Sequence, residues 1–285
     1  MQLRRFIDPD EFLRVAQPFL LTREATNNVL LGLAATLRLS PGFSLQPPYF
    51  AVVEAAGEVV AAGLITPPNR LHLAYTEYPA AMDLLVADVR DFYPMLPGVT
   101  GPVPVSRWFA ERWQRLTGMD YTRTMAERNY QLTRVIEPAP VPGAMRRAGV
   151  EDLDLLADWY MAFEIEAFGE STADSRARVE RVLATPGRAI YLWEAANYAV
   201  SLAGYGSPTP HGIRVGPVYT PPERRGRGFA SALVAQLSQR LLDEGRQYVF
   251  LFTDQKNPTA NHIYQTIGYV PVNDVDEFKF TSRAD

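Results

Sequence analysis

The sequence predicts an α/β fold of the α+β kind: two consecutive halves, each a mixed, mostly antiparallel twisted sheet flanked by helices. Three observations predict it. Strand-like hairpins and helix-like periodicities recur along the 285 residues. A proline-containing stretch near the middle, Ile136-Glu-Pro-Ala-Pro-Val141, has the composition of an extended connection. Beyond it the order of elements starts again, which points to a repeat. Length alone leaves one large domain or two. The linker favours two, residues 1–137 and residues 143–285.

From Asp8 to about Leu39, apolar residues recur at helical spacing, with Pro9 and Pro18 near the start, so one helix is expected until Pro41 breaks it. Tyr49–Glu54 and Val59–Ile65 read as a hairpin in which Gly57 supplies the turn. A short apolar run, Leu71–Tyr75, leads to a helix over Ala80–Tyr93 that Pro94 and Pro97 end. A strand at Val99–Val105 follows, then a helix over Ser106–Thr117 with Ser106 as N-cap and Gly118 as C-cap. Tyr121–Val135 supplies two more strands.

In the second half, Glu151–Phe168 and Thr172–Leu183 read as helices, and Ile190–Glu194 with Tyr198–Tyr205 as another hairpin. The stretch YFAVVEAAGEVVAAGL lines up with AIYLWEAANYAVSLAGY, and SRWFAERWQRLTGMDY with NPTANHIYQTIGYVPV. The chain therefore reads as a diverged internal duplication.

Ile213–Gly245 carries the most chemistry. A β-rich run meets two prolines, passes Gly226 and Gly228, and opens a helix with the apolar stripe Ala230, Leu233, Val234, Leu237 and Leu241. A strand, a glycine-rich turn and a helix N-terminus make an anion site, because unpaired backbone N–H groups converge at the positive end of the helix dipole. Arg224, Arg225 and Arg227 add charge, although such arginines can also form a merely solvated basic turn. The Walker spacing is absent, and Ser231 stands where the dinucleotide fingerprint needs its third glycine.

Arg225-Gly-Arg-Gly228-Phe-Ala230 resembles the Gln/Arg-x-x-Gly-x-Gly/Ala signature of the GNAT superfamily of acetyl-CoA-dependent acetyltransferases. Downstream, Asn257-Pro-Thr-Ala260-Asn-His-Ile-Tyr264-Gln-Thr-Ile-Gly268-Tyr269 resembles that family's second signature. The resemblance covers about residues 143–280 and implies an N-acetyltransferase that transfers acetyl directly to an amine in a ternary complex. The alternative is a non-catalytic acyl-CoA-binding sensor or scaffold.

By the same resemblance, the backbone of Arg225, Gly226, Arg227, Gly228, Phe229 and Ala230 would hold the pyrophosphate of coenzyme A. Val218, Tyr219 and Thr220 would pair with pantetheine as an added strand. Asn257 would hydrogen-bond the pantetheine arm, and Tyr264 would protonate the departing thiolate. Ala260 and Asn261 share a helical face with these two by their spacing and belong to the same cofactor group. No carboxylate stands in Ile213–Thr220 to act as general base. The candidates are Glu164 and Glu166, with Glu170 and Asp174 just beyond; a solvated acidic helix face is the other reading of them. His211 and His262 are not assigned the role. The first half lacks the loop, and Gln114 aligns with Tyr264, so that half is expected to be catalytically silent.

A net charge of −4 gives no global footprint for nucleic acid or an anionic membrane. The absence of cysteine excludes disulfides, thiolate metal sites and a Cys-linked acetyl-enzyme, and no metal is expected. No apolar run approaches the ~18 residues of a membrane span, and the opening residues lack a secretory h-region. The expectation is a cytoplasmic monomer or homodimer acting on a small-molecule or peptide amine.

Overall fold

A computed structural model of the chain describes residues 1–44, 46–169 and 174–282. They form two compact units. The first comprises Met1–Tyr130, Phe252–Asn257 and the segment from Pro271 onward; the second comprises Gln131–Leu251 and Pro258–Val270.

In chain order the first half holds β1 (Gln2–Phe6), α1 (Pro9–Leu21), α2 (Asn28–Leu39), β2 (Tyr49–Ala55), β3 (Glu58–Ile65), β4 (Leu71–Leu73), α3 (Ala81–Phe92), β5 (Gly98–Pro102), α4 (Val105–Thr117) and β6 (Asp120–Leu132). The second half holds β7 (Ala144–Arg147), α5 (Leu153–Phe168), α6 (Ser175–Ala184), β8 (Ala189–Ala195), β9 (Tyr198–Gly206), β10 (Gly212–Tyr219), α7 (Phe229–Asp243), β11 (Tyr248–Asp254), α8 (Pro258–Ile267) and β12 (Val270–Thr281). The two orders are the same. The likeness extends to detail: each first hairpin shifts register by one residue, at Val53/Glu54 and at Trp193/Glu194. Each turns through two residues of positive φ, Ala56-Gly57 and Ala196-Asn197.

The sheet of the first unit runs β1-β2-β3-β4-β5-β12-β6, and that of the second runs β11-β10-β9-β8-β7. Strand β2 pairs antiparallel with β1 and β3, β3 with β4, β12 with β5, β8 with β7 and β9, and β9 with β10, whereas β4 with β5 and β10 with β11 are parallel. In β2, Tyr49, Ala51 and Val53 pack in one buried cluster with α3 and α4, while Phe50 and Val52 pack in another with α1 and α2. That alternation is the period-2 signature of a strand buried on both faces.

Several elements differ from expectation. The helix expected over Asp8–Leu39 is two, because the polar stretch 22–27 has no apolar stripe to bury. Asn27 closes the break: its amide donates to Leu20 C=O at 3.0 Å, and its Oδ1 accepts the Tyr75 N–H at 2.9 Å. The Asp8 carboxylate caps α1 by accepting from Asp10 and Glu11. Ser106 is not an N-cap. Pro104 holds that position, and Ser106 lies inside α4, fully buried. The stretch Tyr121–Val135 holds one strand rather than two, β6, which ends at Leu132. Strand β1 was unannounced, since Arg4 and Arg5 mask its alternation at a sheet edge.

The end of the chain departs most. Sequence order puts residues 271–285 with the second half, whereas β12 pairs antiparallel with β5 in the first unit, from Val275↔Pro102 to Lys279↔Gly98. Phe278 and Phe280 fill that unit's core beside Trp113. The approach is close at Gly98, where a Cβ would stand 2.2 Å from the Phe278 carbonyl oxygen.

Candidate functional site

The second unit builds its site around β10. Pairing between β10 and β11 covers Gly212↔Tyr248 to Arg214↔Phe250 and then stops, while β10 runs on to Tyr219. On its other side β10 stays paired with β9 through a bulge between Val215 and Val218. Val218 and Tyr219 therefore keep a strand conformation on one side only, the arrangement an added strand needs. Thr220 is held beside them. Ser201, fully buried on β9, donates to the Tyr219 carbonyl at 3.1 Å and lies 2.8 Å from the Thr220 hydroxyl. Sequence reading missed Ser201; its one signal was a hydroxyl inside an apolar strand.

After a short turn at Pro222–Arg224, Gly226 and Gly228 adopt φ of +73° and +78°, and α7 begins at Phe229. Only glycine enters this left-handed region without strain. Gly228 is the N-cap and offers no side chain to the helix end. Among the described residues, the N–H groups of Gly226, Arg227, Gly228, Phe229 and Ala230 make no hydrogen bond within the chain. Five consecutive unpaired donors at a helix N-terminus fit an anion such as a pyrophosphate. A Cβ at Gly226 would meet nothing within 4 Å, so a ligand has room there.

Arg225 does not float. Its Nε donates to Thr220 C=O at 2.8 Å, and its Nη2 to Glu166 Oε2 at 2.5 Å. Its guanidinium lies 5.9 Å from the Tyr219 ring centroid. Burial raises the Tyr219 phenol and the nearby Arg225 opposes that shift. Glu166 is thus exposed on α5 and tied to the cradle.

Glu164 is buried on the same helix and takes an ion pair from Arg178 of α6. The two carboxylates expected together consequently have different surroundings. Arg178, 14 residues along the chain, carried no motif that could have announced it. Asp174 caps α6 by accepting from Ala177 N–H. Glu170 lies outside the described residues.

Tyr264 is buried on α8, edge-on to Tyr269 at 6.0 Å, and burial pushes its phenol up to about 12. Its hydroxyl makes no hydrogen bond among the described residues. Ala260 and Asn261 are half-buried on the same helix, whereas His262 and His211 are exposed. Asn257 falls in the Phe252–Asn257 segment of the first unit, exposed, with its N–H on the Asp254 carbonyl at 3.0 Å.

In the first unit, the corresponding place after β4 holds an ion pair. Glu77 accepts from Arg23 at 3.2 Å, and Arg23 lies over the Tyr75 ring at 4.5 Å. Neither arginine nor glycine stands between β4 and α3 there. Gln114 of α4 donates to Asp120 at 3.1 Å. Among the described residues no helix is long and apolar enough to cross a membrane, and no group of three or more His, Asp or Glu could hold a metal.

An open-edged strand, a glycine turn and an amide-rich helix start make an anion cradle, and the fold around them is similar to the tandem GNAT fold of solved structures. Residues 208–277, which hold the cradle, match the family of FR47-like proteins. A solved Drosophila protein aligns over 99% of this chain and 99% of its own at 15% identity and a TM-score of 0.70. A GCN5-related N-acetyltransferase from Sphaerobacter thermophilus aligns over 99% and 97% at 17% identity and a TM-score of 0.59. A tandem GNAT protein from the clavulanic acid biosynthesis pathway aligns over 100% of both chains at 14% identity and a TM-score of 0.57. None of the curated proteins matches the chain.

Proposed function

We propose that the chain is an acetyl-CoA-dependent N-acetyltransferase that passes acetyl directly to the amine of a small molecule or peptide. The run of five unpaired amides from Gly226 to Ala230, opening α7 beside the free edge of β10, carries this reading. Bound there, acetyl-CoA supplies a thioester carbonyl activated for attack.

The chain's own residues do the rest. Amides 226–230, without partners among the described residues and opening a helix, hold the pyrophosphate charge. The edge of Val218–Thr220 aligns the pantetheine arm, and Ala260 and Asn261 complete the cofactor group. As the amine attacks, the C–N bond forms and the C–S bond breaks. The amine loses a proton to Glu164 or Glu166, directly or through water, and the thiolate takes one from the Tyr264 hydroxyl. A phenol raised to about 12 remains protonated through the working range and so is ready to donate.

One observation favours a second reading. Both carboxylates are engaged in ion pairs, with Arg178 and Arg225, which suits a chain that binds acyl-CoA without turnover. The test is calorimetry with coenzyme A followed by free-thiol release from acetyl-CoA over a panel of amines. Binding with amine-dependent thiol release supports the transferase, binding without release supports the sensor, and no binding at millimolar coenzyme A sinks both.

A further inference from the structure

The first unit has no phosphate cradle, yet it holds a polar cleft of its own. The cleft, about 490 Å³, is lined by Val103, Arg123, Gln255, Asn273, Asp274 and Asp276, all residues of that unit. That volume lies within the ~300–1,000 Å³ usual for small-ligand sites.

Asp276 is the unusual member. Its side chain is 7% exposed, and among the described residues its carboxylate meets one nitrogen, Arg123 Nη1, at 3.3 and 3.5 Å. Buried carboxylates are ordinarily held by several donors at roughly 2.7–2.9 Å. Its neighbour Asp274 has such a pairing, bidentate with Arg128 at 2.8 and 3.2 Å. The Arg123 side chain is 54% exposed, so water screens much of its charge. Asp276 is therefore desolvated and under-coordinated on a wall of the cleft.

Behind that wall runs a line of buried amides. Asn129 donates to Asn273 Oδ1 at 3.0 Å and to Ala25 C=O at 2.7 Å. Asn28 donates to Asn129 Oδ1 at 3.5 Å, and its own Oδ1 is buried with no partner among the described residues. Apolar side chains would pack this place at less cost, so the polar line marks a structured site rather than a dent in the surface.

We propose that this cleft binds a small ligand through a primary ammonium group anchored on Asp276. Asp274 and Asp276 lie two residues apart on β12; Arg128 neutralises Asp274, while the largely exposed Arg123 leaves the buried Asp276 short of positive charge, which favours a cation there. An ammonium brings three donors to a carboxylate that has one long contact. Gln255 spends its amide N–H on the Glu127 carbonyl at 3.2 Å, which leaves its Oε1 to accept. A bare metal ion suits the site less, because only two carboxylates line it. The proposal does not rest on acyl transfer in the second unit.

The experiment is calorimetry of the full chain at low salt with 1,5-diaminopentane, with 1,5-pentanediol as the neutral match, and with coenzyme A titrated in parallel. The diamine is expected to bind and the diol not. Asp276→Asn should weaken the diamine about tenfold or more, and Arg123→Gln should tighten it severalfold by removing the competing cation, both leaving coenzyme A affinity unchanged. Equal behaviour of diamine and diol, or weaker diamine binding by Arg123→Gln, overturns the proposal. Should Asp276→Asn fail to fold, the exposed Arg123 decides alone.

Discussion

Alanine at Gly226 or Gly228 separates the fold of the cradle from its function. Both residues have left-handed backbones, at φ +73° and +78°, a region that costs a residue with a Cβ about 1–2 kcal/mol. At Gly226 the new methyl meets nothing within 4 Å, so strain is the whole cost. At Gly228 it meets Val141 Cγ1 at 3.0 Å, so Gly228→Ala should be the less stable of the two. If the backbone relaxes to escape the strain, at least one amide turns away from the phosphate position. A hydrogen bond to a charged group contributes about 1.5–3 kcal/mol, which makes the expected loss of coenzyme A affinity roughly 10- to 100-fold. Urea denaturation reads the first quantity and calorimetry the second. A Gly226→Ala chain that keeps the parent's stability, its backbone having relaxed, and still binds coenzyme A as tightly as the parent refutes the assignment of these amides to the phosphates.

Tyr264→Phe should slow acetyl transfer while leaving coenzyme A binding intact, and stopped-time thiol release with a good acceptor measures it. The same variant tests the buried phenol: a folded value of about 12 against ~10 unfolded means stability that is present below pH ~10 and lost as pH rises through about 12. The slope in alkaline unfolding due to this tyrosine, about 2–3 kcal/mol in total, should vanish in Phe. Arg178→Ala removes a partner of buried Glu164 and should destabilise by about 1–2 kcal/mol in denaturant, the usual penalty for a stranded buried charge discounted for the half-exposed arginine. Glu166→Gln breaks an exposed pair and should cost under about 1 kcal/mol, visible if at all as salt-sensitive cofactor affinity. Phe278→Ala should cost about 3–5 kcal/mol, seen as a lowered melting transition of the first unit.

Much of this architecture was readable because local signals agreed. The hairpins at residues 49–65 and 189–206 carry β-branched and aromatic runs around short turns, and the cradle has glycines where the backbone needs them. What sequence could not show depends on partners distant in the chain. Residues 22–27 contain no proline or glycine to announce a break, and Asn27 finds the Leu20 carbonyl and the Tyr75 amide only in three dimensions. Glu164 and Glu166 look alike as letters two apart, yet successive helix positions point about 100° apart, and one meets Arg178 while the other meets Arg225. Asp276 had no motif at all; burial alone distinguishes it.

The place of β12 bears on how the protein is made. The first unit lacks Phe278 and Phe280 until more than 140 further residues beyond Tyr130 are synthesised, because the strand that carries them follows the second half in sequence. At ~5–20 residues per second, the residues between Tyr130 and Pro271 take on the order of ten seconds to add. Throughout that interval β5 waits with an open edge, at the very place where Gly98 admits a neighbouring backbone. The emerging chain must therefore hold its first half in an incomplete state, exposed to chaperones and to wrong strands alike, and a fragment ending near the linker never gains the strand that ends that exposure.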